Sequence, residues 1–175
     1  MGTSKSKRRV KIVESIASAI SSKKIFDTID YRNRNEDYIK QYMHQPLINE
    51  LEELYENLEL SKSMDKDIVK QKAKDCLLWE GDVNTTVNNF TFFGTQHRPD
   101  FVVKIDKLSV AVEVKKGETG SSLREGIGQS LVYSSAFDFV VYLYVDISKD
   151  KKIRDSMNGV KEQELINDLW ESHNA

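Results

Sequence analysis

The stretch RPDFVVKIDKLSVAVEVKKG, from Arg98 to Gly117, limits the fold more than any other. It holds two β-branched runs with only Asp106-Lys107 between them, so the chain must double back there as a pair of strands. Side chains on a strand alternate faces. Val110, Val112 and Val114 therefore share one face, and Glu113 and Lys115 share the other. A carboxylate and an ammonium stand side by side on an otherwise apolar strand. A second carboxylate, Asp100, sits at the mouth of the partner strand. Burying any one of these charges alone costs several kcal/mol. Two acids beside one base leave an excess negative charge, which a divalent cation with oxygen ligands would balance. Held by Asp100, Glu113 and the Val114 carbonyl, such an ion could bind a phosphate oxygen and acidify a water. Lys115 would orient that water or steady the transition state. The plainer alternatives are a turn aspartate at 100 and an exposed charge pair at 113 and 115.

The rest of the chain supplies helices and one more core strand. An apolar stripe over residues 10–22 predicts a helix, and a stronger one over 36–58 predicts a second, which Pro46 should kink or divide. A third helix is expected over 65–80, with Ile68, Ala73, Cys76 and Leu77 inward and Gly81 near its end. TTVNNFTFFG, residues 85–94, reads as a strand, followed by strands at 100–106 and 108–116. Residues 121–137 read as a helix, started at Leu123 by a Ser122/Glu125 capping box. FVVYLYVDI, 139–147, is apolar almost throughout, which suits a central strand. Residues 161–173 form a last amphipathic helix. This order predicts an α/β sheet with helices on both faces.

Composition narrows the function classes. The 175 residues suffice for one domain, and a formal net charge of −2 gives no global basic field. A single cysteine, Cys76, excludes a disulfide framework and points to a reducing compartment. Cys76 is expected as a packing residue. No apolar run reaches the length of a membrane span, so a cytoplasmic protein is expected. His44, His97 and His173 have no zinc spacing.

Pro99-Asp100 followed by Glu113-Val114-Lys115 on the adjacent strand resembles the PD-(D/E)xK nuclease superfamily. Gln129 and Tyr133 add a Q-x-x-x-Y spacing on the next helix, as in the branch that includes recombination exonucleases. At i and i+4 both lie on one helix face. NEDYIKQYMHQPLINEL is similar to the leading helix of type I restriction nuclease domains, where an acid lies ten residues before a Pro-Leu pair, as Glu36 lies before Pro46-Leu47. The resemblance spans about residues 35–147. It implies a restriction-endonuclease-like mixed sheet of about four strands flanked by helices. Residues 1–34 would be an N-terminal helical extension and 35–175 the nuclease domain. It implies a metal-dependent hydrolase of phosphodiester bonds with Mg²⁺ or Mn²⁺ held by Glu36, Asp100, Glu113 and the Val114 carbonyl. Lys115 would be catalytic, and Gln129 and Tyr133 would complete the site wall. Glu50, Glu53 and Glu80 compete with Glu36 as the third acid, because the segment before the first strand is long. Arg98, Lys116 and Arg124 flank the site as candidate phosphate contacts or as ordinary surface charge. The expected partner is DNA, within a homo-oligomer or a larger restriction or defence protein. An RNA endonuclease of the same fold and a non-catalytic nucleic-acid-binding module are the alternatives.

Overall fold

The computed structural model describes residues 6–57, 64–82, 87, 89–92, 94–150 and 152–175. A mixed four-stranded sheet is flanked by helices on both faces. Its strands are β1 (Leu77–Trp79), β4 (Phe101–Ile105), β5 (Leu108–Gly117) and β6 (Phe139–Asp146), in the order β1-β4-β5-β6. The β1/β4 and β4/β5 pairs are antiparallel and β5/β6 is parallel. The helix α5 (Gly120–Tyr133) makes the crossover between the two parallel strands. A separate hairpin joins β2 (Phe90–Phe92) to β3 (Thr95–His97).

The turn between β4 and β5 places both Asp106 and Lys107 at positive φ, 50° and 62°. Two consecutive left-handed residues make a turn whose twist matches the strands, which fixes the register of the pair. Phe101 then faces Val112 and Val102 faces Ala111. Extending the ladder one step sets Asp100 opposite Glu113, on the same face of the sheet.

The two sheet faces carry different loads. Phe101, Val103, Val110, Val112 and Val114 pack against α1 (Lys7–Ile20) and α3 (Glu36–Asn57) in the main core. Ile12, Ile16 and Ile20 of α1 are essentially inaccessible, so the N-terminal helix belongs to that core too. The opposite face is covered by α5, whose Tyr133 packs on Ala111 and Val140. The short helices α2 (Lys23–Thr28) and α6 (Lys152–Ser156) complete the set with α4 (Lys66–Cys76) and α7 (Val160–His173). No helix among the described residues is long and apolar enough to cross a membrane.

Several expectations change. α3 runs through Pro46 as one helix. The carbonyl that loses its donor belongs to exposed Tyr42, where water can serve it, while Met43, Leu47 and Leu51 seat both halves in one core. α4 ends at Cys76, and Leu77–Trp79 becomes the edge strand β1 instead of a last helical turn. CLLW is apolar enough for either, and pairing with β4 lets Trp79 stack on Phe101 with ring centroids 6.0 Å apart. The strand expected over 85–94 supplies β2, which lies outside the main sheet; residues 85, 86, 88 and 93 fall outside the described set. β6 is an edge strand, not a central one. Its apolar sequence reflects two covered faces, and the C-terminus guards its exposed edge through the Val140 N–H, which donates to the Asn174 carbonyl at 2.9 Å. Cys76 is buried, 3.0 Å from the Tyr55 hydroxyl.

Candidate functional site

Glu113 and Lys115 stand on β5 facing α5, and Asp100 stands beside Glu113 where β4 begins. Helix α5 brings Gln129 and Tyr133 over the same spot. All five line one cleft of about 420 Å³, and Lys40, Glu80, Arg98 and the hairpin residues Gln96 and His97 form its walls. α5 starts one turn earlier than its spacing suggests. Thr119, not Ser122, is the N-cap, and its hydroxyl accepts from the Ser122 N–H.

Of the two glycines inside the helix, Gly126 seats it on the sheet and Gly128 does not. A Cβ on Gly126 would overlap the Tyr142 ring, whereas nothing lies within 4 Å of a Cβ on Gly128. Gly126→Ala should therefore lower stability by about 1–3 kcal/mol through overpacking. Gly128→Ala should raise it by up to about 1 kcal/mol through helix propensity. Thermal unfolding of the two variants should shift in opposite directions; equal shifts would misplace α5 on the sheet.

Asp100 is 5% exposed and both of its oxygens are engaged. Oδ1 accepts from Lys40 Nζ at 2.6 Å, and Oδ2 accepts from the Val114 N–H at 2.7 Å. In an antiparallel ladder the N–H and C=O of one residue point to the same neighbour. The Val114 carbonyl thus faces the Asp100 side. Burial pushes the Asp100 carboxyl up, while the Lys40 charge and the Val114 amide pull it down.

Glu113 is 3% exposed and is served less well. Its Oε1 lies 3.4 Å from Lys115 Nζ. Among the described residues its Oε2 has no hydrogen-bond partner, and neither has the buried Oε1 of Gln129. Burial, and then the Asp100 charge, push the Glu113 carboxyl up to about 7; the Lys115 ammonium opposes them. The Tyr133 proton itself goes to the Arg98 carbonyl at 3.1 Å.

This shift has a consequence for stability. Glu113 holds its proton more tightly folded than unfolded. Wild-type stability should therefore fall as pH rises from about 4.5 to about 7 and then level off. A carboxyl displaced that far disfavours the ionised folded state by roughly 3 kcal/mol. Glu113→Gln should lack this loss and melt higher than the metal-free wild type at pH 8, by on the order of 10 °C. The two should converge near pH 4. A variant that melts lower at pH 8 would mean that Glu113 is already satisfied.

Glu36 does reach the cluster, from the first turn of α3. Its Oε2 accepts from the Lys116 N–H at 2.9 Å, and its Oε1 lies 3.3 Å from Lys40 Nζ. Glu80 lines the cleft too, ion-paired with Arg98 at its mouth. Glu50 and Glu53 lie elsewhere, around a groove between α1, α2 and α3. Lys116 turns its ammonium to the Arg32 and Arg34 carbonyls, which anchors the loop before α3. Arg124 is exposed on the first turns of α5 and is not among the cleft-lining residues.

The residue that the sequence did not single out is Lys40. It is 8% exposed, and its ammonium meets Asp100, Glu36 and, at 3.4 Å, Asp37. Burial favours its neutral form, but the Asp100 and Glu36 charges outweigh burial and hold it well above the usual lysine range. Its only signal was the i, i+4 spacing to Glu36, which usually marks a surface pair.

Among the described residues no three acidic, histidine or cysteine side chains form a ready metal cage. The donor set nevertheless fits a hard cation. Glu113 Oε2 and Gln129 Oε1 are buried oxygens that lack donors among the described residues, beside a second carboxylate and a backbone carbonyl. Mg²⁺ is commonly held by one or two carboxylates, with water and substrate phosphate completing its shell. The chain matches no protein-family model, no curated protein and no solved structure.

Proposed function

We propose that this cleft is the centre of a divalent-metal-dependent nuclease with a restriction-endonuclease-like fold, acting on DNA. One observation carries the reading: Glu113, nearly inaccessible, keeps an oxygen with no donor among the described residues, beside Asp100 and Lys115. A buried carboxylate left so is expensive unless a cation completes it. Asp100, Glu113, Gln129 and the Val114 carbonyl would hold Mg²⁺ or Mn²⁺. When bound, the ion binds phosphate oxygen and lowers the pKa of water. Lys115, half-buried at the cleft wall, places an ammonium where negative charge grows on the phosphoryl group. Tyr133 fixes the Arg98 backbone, and the Arg98 guanidinium stands at the mouth, where a phosphate can take the place of Glu80. Asp100, Glu113 and Lys115 are all present and all face the cleft, which favours catalysis over a binding module that has lost its chemistry.

The test is incubation of the purified chain with Mn²⁺ and linear duplex, circular duplex and single-stranded DNA, and RNA. Cleavage of duplex DNA, stopped by chelation and restored by Mn²⁺, is expected. Cleavage of RNA alone would move the substrate class. A folded chain that cuts none of the four would refute the function.

A further inference from the structure

We propose that the Lys40 ammonium occupies the place of a second divalent cation, so that the centre takes one Mn²⁺ or Mg²⁺ per chain. This rests on the metal-dependent reading of the cleft. Paired-ion phosphodiesterase centres set two cations about 4 Å apart and need acids on both sides of the pair. Here the acids of the α3 side are already committed. Lys40 Nζ stands between Asp100 Oδ1 at 2.6 Å and Glu36 Oε1 at 3.3 Å. The other Glu36 oxygen takes the Lys116 N–H, whereas Asp100 Oδ2, which accepts from the Val114 N–H, keeps a second lone pair for the single ion. Asp37 also faces Lys40 but is largely exposed. The oxygens that would ligate a second ion thus converge on an ammonium. Among the described residues the cleft oxygens that lack donors belong to β5 and α5, at Glu113 and Gln129.

The charges agree. Glu36, Asp100 and Glu113 carry three negative charges, and Lys40 and Lys115 carry two positive ones. One divalent cation and one phosphodiester charge bring this set to neutrality. A second divalent cation in that place would stand against the Lys40 ammonium inside a largely buried cluster. Glu36 is then a positioning residue, which holds Lys40 and the end of β5, and not a metal ligand.

Mn²⁺ titration by calorimetry, with frozen-solution electron paramagnetic resonance, tests this without reading activity. Wild type should bind one Mn²⁺ and give an uncoupled spectrum. Lys40→Arg, which keeps the charge, should also bind one. Lys40→Gln, checked for folding by circular dichroism, frees the Glu36 and Asp100 oxygens. It should bind two ions, with a spectrum broadened by their coupling. Two ions in wild type, or a single ion in folded Lys40→Gln, would overturn the proposal and leave the nuclease reading standing. If Lys40→Gln does not fold, the wild-type stoichiometry decides: one ion supports the proposal and two overturn it. No Mn²⁺ bound by wild type would remove both.

Discussion

Asp100→Ala is expected to abolish Mn²⁺ binding and to destabilise the chain by roughly 3–5 kcal/mol. The two effects share one cause. Asp100 accepts from a buried lysine and a buried backbone amide, so its loss strands both donors. Lys40 cannot turn to water, because its side chain is only 10% exposed and Asp37 and Glu36 are its remaining partners. Urea unfolding of the metal-free variant should show a lower midpoint at unchanged slope. The contrast with Glu113→Gln is informative. Both variants remove a ligand from the same proposed ion, yet one should weaken the fold and the other strengthen it. A stability change within about 0.5 kcal/mol for Asp100→Ala would mean that the Lys40 pair contributes nothing.

Lys115→Ala should reduce Mn²⁺-dependent cleavage by about 100-fold or more, the scale of losing one preorganised electrostatic donor. It should leave one Mn²⁺ bound, since an ammonium is not a cation ligand. Its side chain is 24% exposed, so its removal opens no sealed cavity and the fold should persist. One side effect is predictable in sign. Lys115 opposes the upward shift of Glu113. Without it the Glu113 carboxyl should hold its proton to higher pH, and Mn²⁺ binding should need a more alkaline solution. Lys115→Arg should recover this pH dependence better than it recovers turnover, because a planar fork does not place its charge as an ammonium does. Unchanged turnover in Lys115→Ala would refute the role.

The residues that period-2 reasoning could reach were legible in the sequence. Alternation put Glu113 and Lys115 on one face, and the two-residue turn at Asp106-Lys107 set Asp100 opposite Glu113. Those two rules suffice because a hairpin register is local. What failed was less local. Whether CLLW would be helix or strand depended on Phe101 and Val103, some two dozen residues on, offering it a ladder. Whether β6 was central or at an edge depended on which strands pair with it, and only β5 does among the described residues, which no pattern within 139–147 announces. Lys40 was hidden for the same reason. A Glu-Lys pair one turn apart reads alike on a surface and in a cleft until Asp100 arrives from sixty residues away. Glu36 was found by its spacing to Pro46-Leu47, but its engagement by the Lys116 amide and Lys40 was beyond that spacing.

The central claim is that Asp100 and Glu113 share one divalent cation. Crystals soaked in Mn²⁺ and measured near the manganese absorption edge test it most directly. One anomalous peak is predicted in the cleft, bonded to carboxylate oxygens of Asp100 and Glu113, with Lys40 still paired to Glu36. A peak bonded to neither carboxylate, or no peak in the cleft of a chain that cuts DNA with Mn²⁺, would contradict the account.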